Sequence, residues 1–378
     1  MNTEKLVLYL CLCAINNTSP SADALKGADI KELYRCSAKH KVTALVCYAL
    51  EKIVQVPVLF SEAKTKAVRK DMLLDTEFQK ISAFLQSKGI FYMPLKGALL
   101  KEYYPNAGMR QMSDVDIFYD FRFREEIREY MLEKGYECIA FTEGQDAYKR
   151  QPVYNFEFHH LLFSPLESEV FYDYYKDIKK RLVKDSENPL RYNMSKEDFY
   201  IYLIAHEFKH FSQFGTGIRS LLDVIVFTSK FWDSLDMKYV HREFEKLNLS
   251  EFEEKQRALC NRLAEDNLFG NLSVEDEELL SCFLSTGVYG DYRTGVANRI
   301  TGKAGEKDRE FSRGKKIKYI IRRVFPPLEY YRAAYPFFYK HKILIPFCVV
   351  YRVFLALFKR SAFVRAELDT LKKTGKLK

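Results

Sequence analysis

Two aspartates one residue apart, Asp114 and Asp116, stand at the head of the apolar run Val115-Asp116-Ile117-Phe118. Asp is a poor strand former, and two neighbouring carboxylates repel, so a positive charge is expected between them. In a strand, residues 114 and 116 share one face, about 6.5–7 Å apart, while Val115 and Ile117 point to a core. That separation can bracket a pair of Mg²⁺ (or Mn²⁺) ions about 3.5–4 Å apart. Such ions take oxygen ligands and keep positions open for phosphates. A third carboxylate stands in Tyr-Asn-Phe-Glu-Phe-His, 154–159, where Glu157 and His159 alternate with Phe156 and Phe158. If this run lies beside 115–119, Glu157 reaches the same ions. A bare D-x-D also has an ordinary reading, in which Asp114 turns the chain and Asp116 is a solvated edge residue.

A second motif competes. His206-Glu207-Phe208-Lys209-His210 matches H-E-x-x-H, in which two histidines on one helical face hold zinc and the glutamate acts as general base. A zinc metallohydrolase needs a further ligand. Glu243, Glu245 and Glu251 are available, but none sits in a second motif. The plainer reading places Phe199, Leu203, His206 and His210 on one stripe, with both histidines as buried polar residues near the carboxylates. Arg219 and Asp223, four residues apart, read as an ion pair bracing two domains.

The elements that must position these residues follow from periodicity. Residues 1–88 repeat apolar side chains at helical spacing, and Ser87-Lys88-Gly89 is a stop signal. From 89 to 190 the pattern becomes strand (IFYMPL), helix (GALLKEYY), strand (VDIFY), helix (FREEIREYMLEKGY), strand (ECIAF), strand (YNFEFHHLLF). That order predicts a small mixed-sheet α/β core. Helices return over 191–290, opening at Ser195-Lys196-Glu197-Asp198, which is similar to a capping box. The final region, 291–378, reads as a linker followed by basic, aromatic-rich helices, with the polar stretch 288–315 as the linker. The predicted class is α+β: a small mixed-sheet core between N-terminal and C-terminal helical regions.

The arrangement of Lys96-Gly97, Arg110, Asp114-Val115-Asp116 and Glu157-Phe158-His159 resembles the nucleotidyltransferase superfamily of the polymerase-beta-like fold. More narrowly, it resembles a large, poorly characterised bacterial branch. His206-x-x-x-His210 and Arg219-Ser220-Leu221-Leu222-Asp223 are also similar to that branch. The resemblance implies metal-dependent transfer of a nucleoside monophosphate from an NTP to an acceptor hydroxyl, with release of pyrophosphate. It implies Asp114, Asp116 and Glu157 as metal ligands and catalytic carboxylates. Lys96, Gly97, Arg110 and Ser113 would contact the nucleotide, and His159, His206, His210, Arg219 and Asp223 would lie near the acceptor or behind the ligands. One departure is visible: many relatives carry Gly-Ser at the turn, whereas Ala98 follows Gly97 here. Lys96 would substitute as a point charge, with N–H groups of the following helix facing the phosphates. A degenerate member that binds nucleotide or nucleic acid without turnover stays open. The acceptor, whether small molecule, protein or RNA, is not readable.

The net charge of +9 is unevenly spread. Residues 311–378 hold 17 Lys/Arg against 3 Asp/Glu, a local balance of +14 that leaves −5 on the first 310. Such a region suits an anionic membrane surface, nucleic acid, or simply a solvated basic face. Eight scattered cysteines without C-x-x-C spacing read as free thiols in a reducing cytoplasm. The run 6–15 followed by SPSADA is similar to a signal peptide in outline. Glu4 and its shortness favour a first helix of the mature protein. The expected location is cytoplasmic, with peripheral membrane contact open.

Overall fold

The computed structural model describes residues 1–142, 144–266, 268–301, 313–359 and 361–372. The fold is α+β, a small mixed sheet flanked at both ends by helices. The chain divides into two units, residues 1–206 with 218–272 and residues 207–217 with 273–378.

The first unit is built on five strands: β1 (Tyr92–Pro94), β2 (Val115–Tyr119), β3 (Glu137–Phe141), β4 (Gln145–Arg150) and β5 (Tyr154–His159). Their order is β1-β2-β5-β4-β3. β2 and β5 are parallel and the other neighbours antiparallel. β4 was not predicted. Its apolar content is only Ala147 and Tyr148, and Asp146 reads as a loop residue. Asp146 is nonetheless buried, because Arg124 donates to it at 2.8 Å.

Period-two alternation sorts the sheet into two faces. Val115, Ile117, Tyr119, Tyr148, Phe156 and Phe158 pack on Leu74, Ile81 and Leu85 of the helix Val58–Ser87 and on Ile127 and Met131 of the helix Arg124–Glu133. Burying each such Leu, Ile or Phe contributes about 1.5–3 kcal/mol. Asp116, Glu157 and His159 are therefore left on the opposite face.

The N-terminal region is helical as expected, with Thr3–Ile15, Ile30–Lys39 and Thr43–Leu50 preceding the long helix. Residues 6–14 are buried on every side of the first helix, which suits its continuous apolar composition. Asn2 caps it by accepting from the Lys5 N–H at 2.9 Å. At Ser195 half of the expected capping box forms: the Asp198 N–H donates to Ser195 Oγ at 3.0 Å. The Asp198 carboxylate instead accepts from Tyr239 at 2.9 Å. A complete box stands at Ser273 and Asp276.

In the second unit, part of the stretch read as a linker is the helix Tyr292–Thr301. Val296, Ala297 and Ile300 anchor it in a small core with Tyr319, flanked by Tyr292 and Leu371. Residues 302–312 of that stretch lie outside the described ones. Among the described residues, no helix is long and apolar enough to cross a membrane.

Candidate active site

The parallel pairing of β2 with β5 sets Asp116 directly opposite Glu157 and Phe118 opposite His159. The three polar side chains converge. His159 Nε2 lies 2.7 Å from Asp116 Oδ1 and 3.8 Å from Glu157 Oε2. Lys96 Nζ approaches Asp116 Oδ2 at 3.5 Å, and Gln145 from β4 donates to Glu157 at 3.3 Å. One ligand atom from each of Asp116, Glu157 and His159 lies within 4.8 Å of the other two, an arrangement that can hold a metal ion. Two oxygens and an imidazole nitrogen suit Mn²⁺ and similar ions better than Mg²⁺, which favours an all-oxygen shell.

Asp114 sits one residue before β2 and is half-buried. It stands outside that three-ligand group but shares its field. Burial and Asp116 raise its carboxyl above the usual range, against Lys96, Arg219 and Arg110. Burial opposes ionisation of Asp116 too, but Lys96 and the hydrogen bond from His159 outweigh it and hold Asp116 well below the carboxylate range. Burial, Asp116 and Asp114 push Glu157 up to about 7. Burial disfavours the Lys96 ammonium, yet Asp116 leads the anions that keep it firmly charged. Three carboxylates crowded around one ammonium raise one another's cost of ionisation, a cost that a divalent cation would relieve.

The turn bearing Lys96 is strained. Lys96 adopts φ 44° and ψ −110°, a conformation rare outside glycine and characteristic of functional turns. Gly97 is favoured for a different reason: a Cβ there would collide with the Arg110 guanidinium, which Asp223 holds in place. The helix after this turn runs Gly97–Leu100 and continues as a 3-10 turn over Lys101–Tyr103. Within it the Ala98 N–H donates to Leu95 O at 3.1 Å and that of Leu99 to Lys96 O at 3.0 Å.

Arg110 does not face the carboxylates with a free fork. Its Nε and Nη2 donate to the two oxygens of Asp223 at 2.8 and 2.9 Å, and Tyr104 donates to the same carboxylate at 2.8 Å. Asp223 thus pairs with Arg110 rather than Arg219, correcting the expected i,i+4 pair. Arg219 donates instead to Gln111 O at 3.2 Å. Ser113 is part of the turn into β2, and its carbonyl accepts from Lys70 at 2.9 Å. Upstream, Tyr48 donates to Ala107 O at 3.0 Å, and Gly108, at φ 74°, lies tight against Val68. The N-terminal helices therefore fix the loop that delivers Asp114 and Asp116.

The helix Lys196–Gln213 carries H-E-x-x-H. It is buried nearly all round from Phe199 to Ala205, and Tyr202 lies in the field of Lys96 and Asp116. His206 is half-buried, but His210 is exposed, against the buried stripe expected from spacing. Neither belongs to a group of three candidate metal ligands among the described residues. Glu243 accepts from Tyr174 and Lys246, and Glu251 pairs with Lys255.

The model of a family described as uncharacterised nucleotidyltransferase matches residues 26–265, well over half of the chain. The chain belongs to that family. No curated protein and no solved structure matches it. The matched span of this nucleotidyltransferase-family chain includes every residue named as shaping the carboxylate cluster, from Tyr48 to Asp223. Membership supports a nucleotidyltransferase activity and a nucleotide substrate. Three participants were not singled out from the sequence: Gln145, Tyr202 and Lys70. Gln145 was hidden with its unpredicted strand. Lys70 and Tyr202 stand on helices whose rotation periodicity alone does not set.

Proposed function

We propose that the chain is a metal-dependent nucleotidyltransferase that moves a nucleoside monophosphate from an NTP to an acceptor hydroxyl. The observation that carries this is the register placing Asp116 opposite Glu157, with His159 meeting both and Lys96 beside Asp116. Asp114, Asp116 and Glu157 would hold the divalent ion, Mg²⁺ or Mn²⁺, with His159 either joining them or orienting Asp116. When bound, the ion supplies charge neutralisation for the triphosphate and acidifies the acceptor hydroxyl. Lys96 contributes a fixed positive charge beside the phosphates, held where the strained turn presents it. Glu157, on the same face as the ion, would accept the hydroxyl proton. The acceptor oxygen forms its bond to the α-phosphorus as the bond to pyrophosphate breaks, and pyrophosphate leaves with the electron pair. Arg110 and Asp223, paired with each other, would shape the turn from behind.

The test is pyrophosphate release from each NTP with Mg²⁺ or Mn²⁺, with cell-extract fractions as acceptor source. Asp116→Asn and Asp114→Asn are expected to abolish release while thermal melts stay cooperative. Turnover undiminished in either variant overturns the proposal. A second reading, nucleotide binding without turnover, draws on Ala98 in place of the usual Ser and on both Asp116 oxygens being engaged. Saturable Mn²⁺–NTP binding with no pyrophosphate under any acceptor would select it.

A further inference from the structure

The C-terminal helices of the second unit are inside out. Along the helix Ile345–Lys359, Cys348 is fully buried, whereas Phe347, Val350, Phe354 and Phe358 are 69, 69, 57 and 70% exposed. Those four fall at i, i+3, i+7 and i+11, one face of one helix. Ile343, just before it, is 90% exposed. The helix Arg313–Val324 repeats the pattern: Ile317, Ile320 and Ile321 are 45–54% exposed, and Lys315, Lys318 and Arg322 are exposed beside them. Isolated exposed apolar residues need no explanation, but a complete helical face of aromatics and aliphatics marks a binding surface.

We propose that this face docks on an anionic lipid bilayer, the helices lying in the interface rather than crossing it. Charge complementarity selects the occupant. Residues 313–359 carry eleven Lys/Arg and one acidic residue, Glu329. Each basic side chain is attracted to an anionic leaflet within a Debye length of its surface. A second copy of the chain would set two such basic faces against each other. Single-stranded nucleic acid would use the aromatics as stacking platforms, but Ile317, Ile320, Ile321, Ile343 and Val350 have no ring to stack. Aliphatic side chains gain only by leaving water, which the acyl boundary of a bilayer offers. A cavity of about 650 Å³ lies among the same helices, and Val353 and Leu368, which line it, are themselves 41 and 48% exposed. The apolar surface thus continues inward, with room for part of an acyl chain. Arg352, turned from the exposed face, donates to the Val324 and Arg323 carbonyls, both at 3.2 Å, and ties the two helices together.

The experiment is flotation of the full-length chain with phosphatidylcholine vesicles, with and without phosphatidylglycerol. Partition at least about tenfold stronger onto the anionic vesicles is expected, falling as salt rises. The triple variant Phe347→Ser, Phe354→Ser, Phe358→Ser should lose at least tenfold of that partition, and Ile343→Ser alone a measurable part. All four sites are exposed, so melting midpoint and Mn²⁺ binding should be unchanged. Equal binding to both vesicle types, or none to either, overturns the proposal. So does a concentration-dependent dimer, or tight RNA binding lost in the triple variant while vesicles are ignored.

Discussion

Replacing Glu157 with Gln should make the metal-free protein more stable at neutral and alkaline pH. The Glu157 carboxyl sits at about 7 in the fold against an ordinary value of 4.5. Between those values the unfolded chain has released the proton and the folded chain has kept it. Stability therefore declines as pH rises from 4.5 to 7 and stays lower above. Two and a half units correspond to about 3.4 kcal/mol at 1.36 kcal/mol per unit. The side chain keeps 22% of its surface, and solvent screening reduces the effect to about 1–2 kcal/mol. Urea denaturation in EDTA at pH 4 and pH 8 measures it. Wild type and Glu157→Gln should nearly coincide at pH 4, below the unfolded carboxyl's value, where the acid is neutral in both states, and the variant should lead at pH 8. Saturating Mn²⁺ should reverse the order at pH 8, because the ion stabilises the carboxylate it binds. A variant that is less stable at both pH values, or that gains as much from Mn²⁺ as wild type, would refute the cation-site reasoning.

Removing one partner of the Arg110–Asp223 pair, as in Asp223→Ala, should cost about 3–5 kcal/mol in urea melts, because a buried guanidinium is left uncompensated. Arg110→Met with Asp223→Leu should recover much of the loss. Gly97→Ala forces Arg110 aside and should cost about 1–3 kcal/mol while weakening Mn²⁺ binding by calorimetry. Lys96→Met should lower kcat/KM by about 10²-fold in the pyrophosphate assay. Native protein should show fast Ellman reactivity only at the half-buried Cys138 and Cys282. Burial pushes the Cys36 and Cys47 thiols to about 11 and about 12, and the other six thiols should react only on unfolding.

The sheet was legible wherever alternation was clean. YNFEFH alternates Tyr154, Phe156 and Phe158 with Asn155, Glu157 and His159, and VDIFY sets Asp116 on the face opposite Val115, Ile117 and Tyr119, so each strand's carboxylate face followed from period two once the two strands were placed side by side. β4 was not legible because its buried Asp146 depends on Arg124, a partner outside the strand. The helix Tyr292–Thr301 gives almost no periodic signal, because Val296, Ala297 and Ile300 are few among polar neighbours. Within the site, residue types pointed to a cation, yet they could not tell that His159 would stand closer to Asp116 and Glu157 than a second-line role implies. The pairing of Arg110 with Asp223 was not legible because the two lie 113 residues apart, a distance no local pattern spans. H-E-x-x-H shows the converse error: spacing placed His210 inside, and the fold turns it outward.

The bare Cα of Gly97 resting on the Arg110 guanidinium carries a consequence for dissecting this protein. The turn that presents Lys96 is shaped by an arginine whose counter-anion, Asp223, arrives from a helix far downstream. A fragment ending at the last sheet residue would retain all three carboxylates and the lysine, yet leave Arg110 without its anchor, free to swing toward the acidic cluster and neutralise it. Such a fragment should look complete in composition and still be dead, self-inhibited by a cation that the intact chain keeps occupied.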